Sequence, residues 1–322
     1  MVALVSAIVS YAQQQLVATL THGDEITMFY GTYAYRDAMN AAADGDVINL
    51  SGGKFQAVTI NKSVSIRGTG VDVELPTFIV GDFDINIPEG SIGRLIIEGL
   101  RISNTATLKG TLKNACFFKS RIGSVQSYPN ANVKNAMFVN CHIFDVDPYS
   151  TDYIVSFQFL NCYISSFQNN FASNTTAYFL NCVIRPDYGC YADYICHSTL
   201  LNCILVNNYK YTLNSLPSTS SATNCLAISP SGGNAFSKAA ASLNNKSITD
   251  FTVFIESDHL KDMTDEAKST YLGTDNTPIG MYGGSLPFDW TTTYPQITKM
   301  NVSSKTTADG KLSVDIEVRT AQ

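Results

Sequence analysis

Residues 138–143 read Phe138-Val139-Asn140-Cys141-His142-Ile143, and the same phrase returns three times further along the chain. It reappears as Phe159-Leu160-Asn161-Cys162-Tyr163-Ile164, as Phe179-Leu180-Asn181-Cys182-Val183-Ile184 and as Leu200-Leu201-Asn202-Cys203-Ile204-Leu205. Weaker copies stand at Asn114-Ala115-Cys116 and Asn224-Cys225-Leu226. The cysteines at 116, 141, 162, 182, 203 and 225 are therefore spaced by 25, 21, 20, 21 and 22 residues. A period that wanders slightly around one value is the mark of a solenoid whose loops differ in length. The unit is rich in β-branched and aromatic residues and carries no 3.6-residue periodicity, so each repeat is a coil of short strands.

Two geometries fit the phrase. In a regular strand, Val139, Leu160, Leu180 and Leu201 point inward together with the cysteine and with Ile143, Ile164, Ile184 and Leu205, since side chains alternate with period two. If instead the asparagine bends the chain through the left-handed region, which Asn tolerates, the Phe before it turns inward. The residue after the cysteine is His142, Tyr163, Val183 or Ile204, and this variety indicates an outward face, with His142 at the surface. Coils stack about 4.8 Å apart, so six of the eight cysteines form a ladder of small buried side chains. That spacing favours free thiols over disulfides. Cys190 and Cys196 lie off the ladder and are close enough in sequence to bridge. No C-x2-C or His-x3-His spacing supports zinc.

Upstream, Tyr35–Ala43 reads as a short amphipathic helix stopped by Asp44-Gly45-Asp46 and followed by Val47–Leu50, Val58–Ile60 and Val64–Ile66. A helix there covers the first coil, whose core and strand edges would otherwise be bare. At the start, the apolar run Val2–Val9 followed by Ser10 and Ala12 fits a signal peptide cleaved near Gln13, although no basic residue precedes it. The run is too short to span a bilayer. At the other end, Ile297–Ser303 and Leu312–Val318 alternate around Asp309-Gly310, a β-hairpin signal. The expected organisation is a possible signal remnant (1–12), a β-helix with cap and closing coil (13–290) and a small C-terminal β module (291–322).

The stretch Gly45-Asp46-Val47-Ile48-Asn49-Leu50, then Gly53-Lys54-Phe55, then Val64-Ser65-Ile66-Arg67-Gly68 resembles the opening of pectate-lyase-like right-handed parallel β-helix proteins. Asp250-Phe251-Thr252-Val253 and the glycine-rich Gly273–Gly284 segment are similar to the closing coil of secreted bacterial members. The resemblance covers roughly residues 30–322 and implies an all-β, single-stranded right-handed parallel β-helix with an N-terminal capping helix and a C-terminal β-hairpin module. It also implies export to the medium or the bacterial cell surface. It does not imply one activity, because that superfamily mixes lyases, hydrolases and adhesins.

The 322 residues carry 21 basic and 27 acidic side chains, a net charge of −6, with 45% hydrophobic and only 15% charged residues. A disordered chain is excluded, and with no Lys/Arg cluster so is nucleic-acid binding. Hydrolysis of a polysaccharide needs paired carboxylates, yet no Asp-Asp pair occurs. The nearest substitute is Asp145 and Asp147 with Asp152 following; at i, i+2 they share a strand face and suit Ca2+ or an acid/base pair, but before Pro148 they read as loop-solvating residues. Lyase chemistry needs a base such as Arg, Lys or His, for which Arg121, Arg185, His142, His197 and Lys210 are the candidates; they show no constellation. Tyrosines fill the loops between 149 and 211, and Tyr163, Tyr188, Tyr191, Tyr194 and Tyr209 in a row would stack on sugar rings. The function expected is glycan binding or adhesin-like display without catalysis and without a cofactor. The alternative is a polysaccharide lyase or glycoside hydrolase acting on an acidic polysaccharide around Asp145, Asp147, Asp152 and Arg185.

Overall fold

The computed structural model describes residues 15–148, 153–169, 171–184, 192–207, 214–257, 260–302, 309–311 and 314–319. Each repeat contributes one strand to each of two long parallel sheets, and the coils stack into a β-solenoid of about nine turns. The first sheet runs from Val47–Leu50 through Cys116–Phe118, Asn132–Val139, Val155–Leu160, Thr175–Leu180 and Ser198–Leu201 to Ala241–Leu243. The second runs from Gly53–Gln56 through Leu100–Leu108, Arg121–Ser127 and His142–Pro148 to Lys246–Ile248.

The repeated phrase is the corner between the sheets. Asn140, Asn161, Asn181, Asn202 and Asn224 all sit at φ between 49° and 54°, so of the two geometries the bent one is realised. Phe138, Phe159, Phe179 and Leu200 are fully buried. The rings of Phe117, Phe138, Phe159 and Phe179 stack face to face with centroids 4.7, 5.1 and 5.0 Å apart, each pair adding about 0.5–1.5 kcal/mol beyond its burial. Leu160, Leu180 and Leu201, which a regular strand would have turned inward, lie half-buried on the outer side.

The cysteine column needs one correction. Phe117 is in register with Phe138 and Phe118 with Val139, so Lys119, at φ 47°, occupies the asparagine corner and Ser120 the cysteine position. Cys116 pairs with Met137 and belongs to another column. The ladder proper is Cys141, Cys162, Cys182, Cys203 and Cys225, all buried thiols. Several Sγ atoms reach back to a carbonyl of the preceding coil: Cys141 to Phe117 O at 3.4 Å, Cys162 to Phe138 O at 3.3 Å, Cys182 to Phe159 O at 3.2 Å. Ser120 Oγ donates within its own coil, to Phe118 O at 2.8 Å, the counterpart of Cys141 Sγ to Val139 O at 3.4 Å, while Asn245 Nδ2 reaches back to Ala222 O at 2.8 Å. Polar substitutes therefore mark both ends of the ladder: the position requires a small hydrogen-bonding group, not merely a small apolar one. Cys190 lies outside the described residues; Cys196 Sγ donates to Asp193 O at 3.2 Å.

The first coil is covered by a hairpin, β1 (Val17–His22) and β2 (Glu25–Tyr30), and by helix α1 (Ala34–Ala41). β1 pairs antiparallel with Val47–Leu50, while α1 buries Ala34, Tyr35, Ala38 and Met39, with Tyr35 edge-on to Phe55 at 6.4 Å. Lys62 Nζ closes the helix by donating to the carbonyls of Met39 and Asn40, both at 2.9 Å. Near the other end, Gln296–Val302 and Val314–Arg319 pair antiparallel.

Residues 273–294 run back along the second sheet as a strap. They cover the residues after the cysteines: Tyr163, Val183, Ile204 and Leu226 form a second core with Ile279, Met281 and Phe288. His142 is likewise buried, 5% exposed. The variety at this column thus reflects packing against the strap, and His142 is not a surface residue.

Candidate binding face on the second sheet

In the N-terminal coils the strap's hydrogen bonds fall at the corner, on Lys119, Glu98 and Gly68. There the strands Thr77–Val80, Leu100–Leu108, Arg121–Ser127 and His142–Pro148 carry Phe78, Arg101, Ser103, Arg121 and Phe144 half-buried or exposed, while His142, Asp145 and Asp147 are buried. Arg101 lies beside Arg121 and Arg121 beside His142, about 4.8 Å per coil. Arg101 donates both Nε, at 2.7 Å, and Nη2 to Val71 O, and its guanidinium stands 5.3 Å from the Phe78 ring. The Arg121 guanidinium lies 4.8 Å from the Phe144 ring. Among the described residues neither arginine has a carboxylate partner. Burial and then the neighbouring Arg101 charge lower the pKa of Arg121, so an incoming anion relieves a repulsion already present. Phe78, Arg101, Ser103, Arg121, Gly123 and Phe144 line a depression of about 330 Å3.

Farther along the same strands, Asp84, Thr107, Gln126 and Asp147 form an in-register row, part of a shallow trough of about 500 Å3 with Lys109 and Tyr128 at its rim. Lys109 pairs with Asp84 at 2.7 Å. Asp147 accepts from Asn169 Nδ2 at 2.6 Å and Gln126 Nε2 at 3.1 Å. Asp145 differs. Its Oδ2 accepts from Ser124 Oγ at 3.3 Å, while Oδ1 is buried without a partner. Burial first, and the Asp147 charge second, raise its pKa. Both residues sit in the strand His142–Pro148 and are 8% exposed, which corrects their reading as loop-solvating side chains. Two neighbouring carboxyl groups, with a raised proton affinity at Asp145, share one face.

His142, next to Arg121, stacks on Phe144 with centroids 4.3 Å apart and lies 3.4 Å from Ser165 Oγ. Burial and the Arg121 charge push its pKa down to about 3, so the imidazole is neutral at physiological pH. His197 sits at a left-handed corner before Ser198–Leu201 of the first sheet, on the other sheet from His142.

The tyrosine row is not what lines this face. Tyr163, 2% exposed, belongs to the core under the strap and cannot stack on a sugar; this is a correction. Tyr194 packs half-buried against the main core. Tyr188, Tyr191, Tyr209, Asp152, Arg185, Lys210 and Met1–Ala12 lie outside the described residues. Sequence reasoning missed Arg101, Phe78 and Phe144, and the register of Arg101 with Arg121 was the available signal: Leu100-Arg101-Ile102 and Ser120-Arg121-Ile122 occupy the same place in successive coils.

Among the described residues no group of three or more His, Cys, Asp or Glu is placed to hold a metal ion, and no helix is long and apolar enough to cross a membrane. No family model, curated protein or solved structure matches the chain.

Proposed function

We propose that this β-solenoid is a glycan-binding protein of the extracellular medium or cell surface, and that it holds an anionic polysaccharide across this face of the second sheet. One observation carries the reading. Arg101 and Arg121 stand one coil apart, without carboxylate partners among the described residues, flanked by the Phe78 and Phe144 rings. Guanidinium groups match carboxylate or sulfate oxygens in a planar fork, while aromatic rings offer apolar area to a sugar ring. The apolar run Val2–Val9 and the likeness of the coils to pectate-lyase-like proteins support export.

A second reading rests on Asp145 and Asp147. A carboxyl of raised proton affinity, Asp145, beside a second carboxyl group suits the acid of a glycoside hydrolase, and the arginines would neutralise a uronate beside them. A panel of acidic and neutral polysaccharides separates the two: binding to acidic polymers without new reducing ends or unsaturated products supports the first reading. Turnover abolished by Asp145→Asn supports the second. Absence of binding to every member contradicts both.

A further inference from the structure

The N-terminal end of the solenoid carries a second exposed feature. β2 is the outer strand of the first sheet, and its alternate residues Ile26, Met28 and Tyr30 are 69%, 51% and 54% exposed. They share the outer face with Thr21, Thr19 and Val17 of β1, their register partners, whereas Thr27 and Phe29 lie opposite Leu20 and Ala18 on the inner face. The backbone follows the same parity. The hairpin has the two-residue loop Gly23-Asp24, so His22 and Glu25 form its closing hydrogen-bonded pair, and hydrogen-bonded pairs then alternate along the ribbon. Glu25, Thr27 and Phe29 spend their amide groups on β1. Those of Ile26, Met28 and Tyr30 point away from the sheet. One set of residues thus presents both an apolar stripe and an edge that no strand pairs with among the described residues, the combination that invites strand addition.

We propose that β2 pairs antiparallel with β2 of a second copy about a two-fold axis through Met28, joining two solenoids head to head into one continuous sheet. Parity requires the axis to pass through a residue, and Met28 is the one that sets all three apolar residues opposite one another. Centred on Met28, it sets Ile26 opposite the other copy's Tyr30 and Met28 opposite Met28, so the outward amide groups meet outward amide groups and the apolar side chains meet each other. A centre between two residues would place an apolar residue opposite an inward-facing one and leave the amides mismatched. Charge does not oppose this register. Glu25 and Asp24 of one copy come opposite Gly31 and Thr32 of the other, where Arg36 lies 4.0 Å over the ring of Tyr33, itself 58% exposed. That arginine is paired with Asp37 at 3.0 Å, so the acidic turn of each copy meets a segment of its mate without net charge. The contact is isologous, so it closes at two copies and does not propagate into a fibre. With these side chains and the paired strands it buries on the order of 1,000 Å2, the lower end for specific interfaces, so the dimer is reversible.

Sedimentation equilibrium on the full chain, across the micromolar range, tests it together with three variants. The unaltered chain is expected to approach twice the chain mass with rising concentration. Met28→Lys, which sets two ammonium groups opposite each other, is expected to weaken association about tenfold or more with unchanged thermal unfolding. Under mild oxidation Met28→Cys is expected to give a dimer linked through residue 28, and Thr27→Cys to give none through residue 27. A chain that stays monomeric throughout, a dimer indifferent to Met28→Lys, or equal cross-linking at 27 and 28 would overturn the proposal.

Discussion

The side-chain amide of Asn161 donates to the carbonyls of Met281, at 2.9 Å, and Gly283, at 2.7 Å, residues 120 and 122 positions later in the chain. Related contacts recur at other corners. Asn202 exchanges hydrogen bonds with Thr274 and accepts from Gly280 N on its backbone carbonyl, Asn140 donates to Pro287 O, and Lys119 reaches Asp289 and Thr291. Glu98 then accepts from Thr293, and Tyr294 donates to Gly68 O. The repeated asparagine thus does two things at once: its backbone turns the corner, and its amide fastens the strap that covers the second sheet.

These two roles separate by mutation. Asn161→Gly keeps the left-handed corner and loses only the amide, leaving buried carbonyls of the strap unsatisfied at about 1–3 kcal/mol. Asn161→Ala adds the backbone penalty of a Cβ in that region, about 1–2 kcal/mol more. Urea unfolding is expected to rank the alanine variant below the glycine variant and both below the unaltered chain.

The glycines of the strap are a matter of space. A Cβ on Gly283 would lie 1.7 Å from Pro278 O, and one on Gly284 2.0 Å from Asn181 Nδ2. Gly283→Ala is therefore expected to loosen the strap, seen as faster amide exchange at Tyr163, Val183 and Ile204 while the first sheet keeps its protection.

Thiol chemistry reads the ladder directly. Burial raises the pKa of the Cys141 and Cys182 thiols, and thiolate is the reactive form. Labelling of Cys141, Cys162, Cys182, Cys203 and Cys225 by a thiol reagent, mapped by mass spectrometry, is expected to proceed no faster than unfolding. Cys182→Ser is expected to be tolerated better than Cys182→Val, because Ser120 already fills the same position in an earlier coil.

The proton affinity of Asp145 has a signed consequence. Its pKa is raised in the folded chain, so between the ordinary carboxylate range and that raised value the folded state binds more protons than the unfolded one. Stability from this group is present at low pH and is lost as pH rises through that window. Asp145→Asn removes the dependence. The difference between the two stability profiles is expected to favour the asparagine variant increasingly as pH rises, and parallel profiles would contradict the assignment.

Much of the fold was legible because the repeat is in the sequence itself. Four copies of one phrase with a period near 21 specify stacked coils whatever lies between them, and the Asp-Gly turn specified a terminal hairpin. Two things were not legible, for physical reasons. Whether Val139 or Phe138 faces inward depends on the φ of Asn140, which its own identity permits but does not impose. Whether Tyr163 is wet or dry depends on residues 279–288, which return to it only through tertiary packing. The candidate face was half legible: Asp145 and Asp147 stood out as a pair, but Arg101 and Arg121 become neighbours only once the coil register is known.

The central claim is that Arg101 and Arg121 together receive an anion on a glycan. The most direct measurement is a calorimetric titration of the full chain with a polyuronate at low and high salt, beside Arg101→Ala, Arg121→Ala and the double variant. Binding by the unaltered chain that weakens with salt, falls about tenfold in each single variant and is lost in the double one is the expected result. Equal affinity in the unaltered chain and the double variant, or undiminished preference for a neutral polymer, would contradict it.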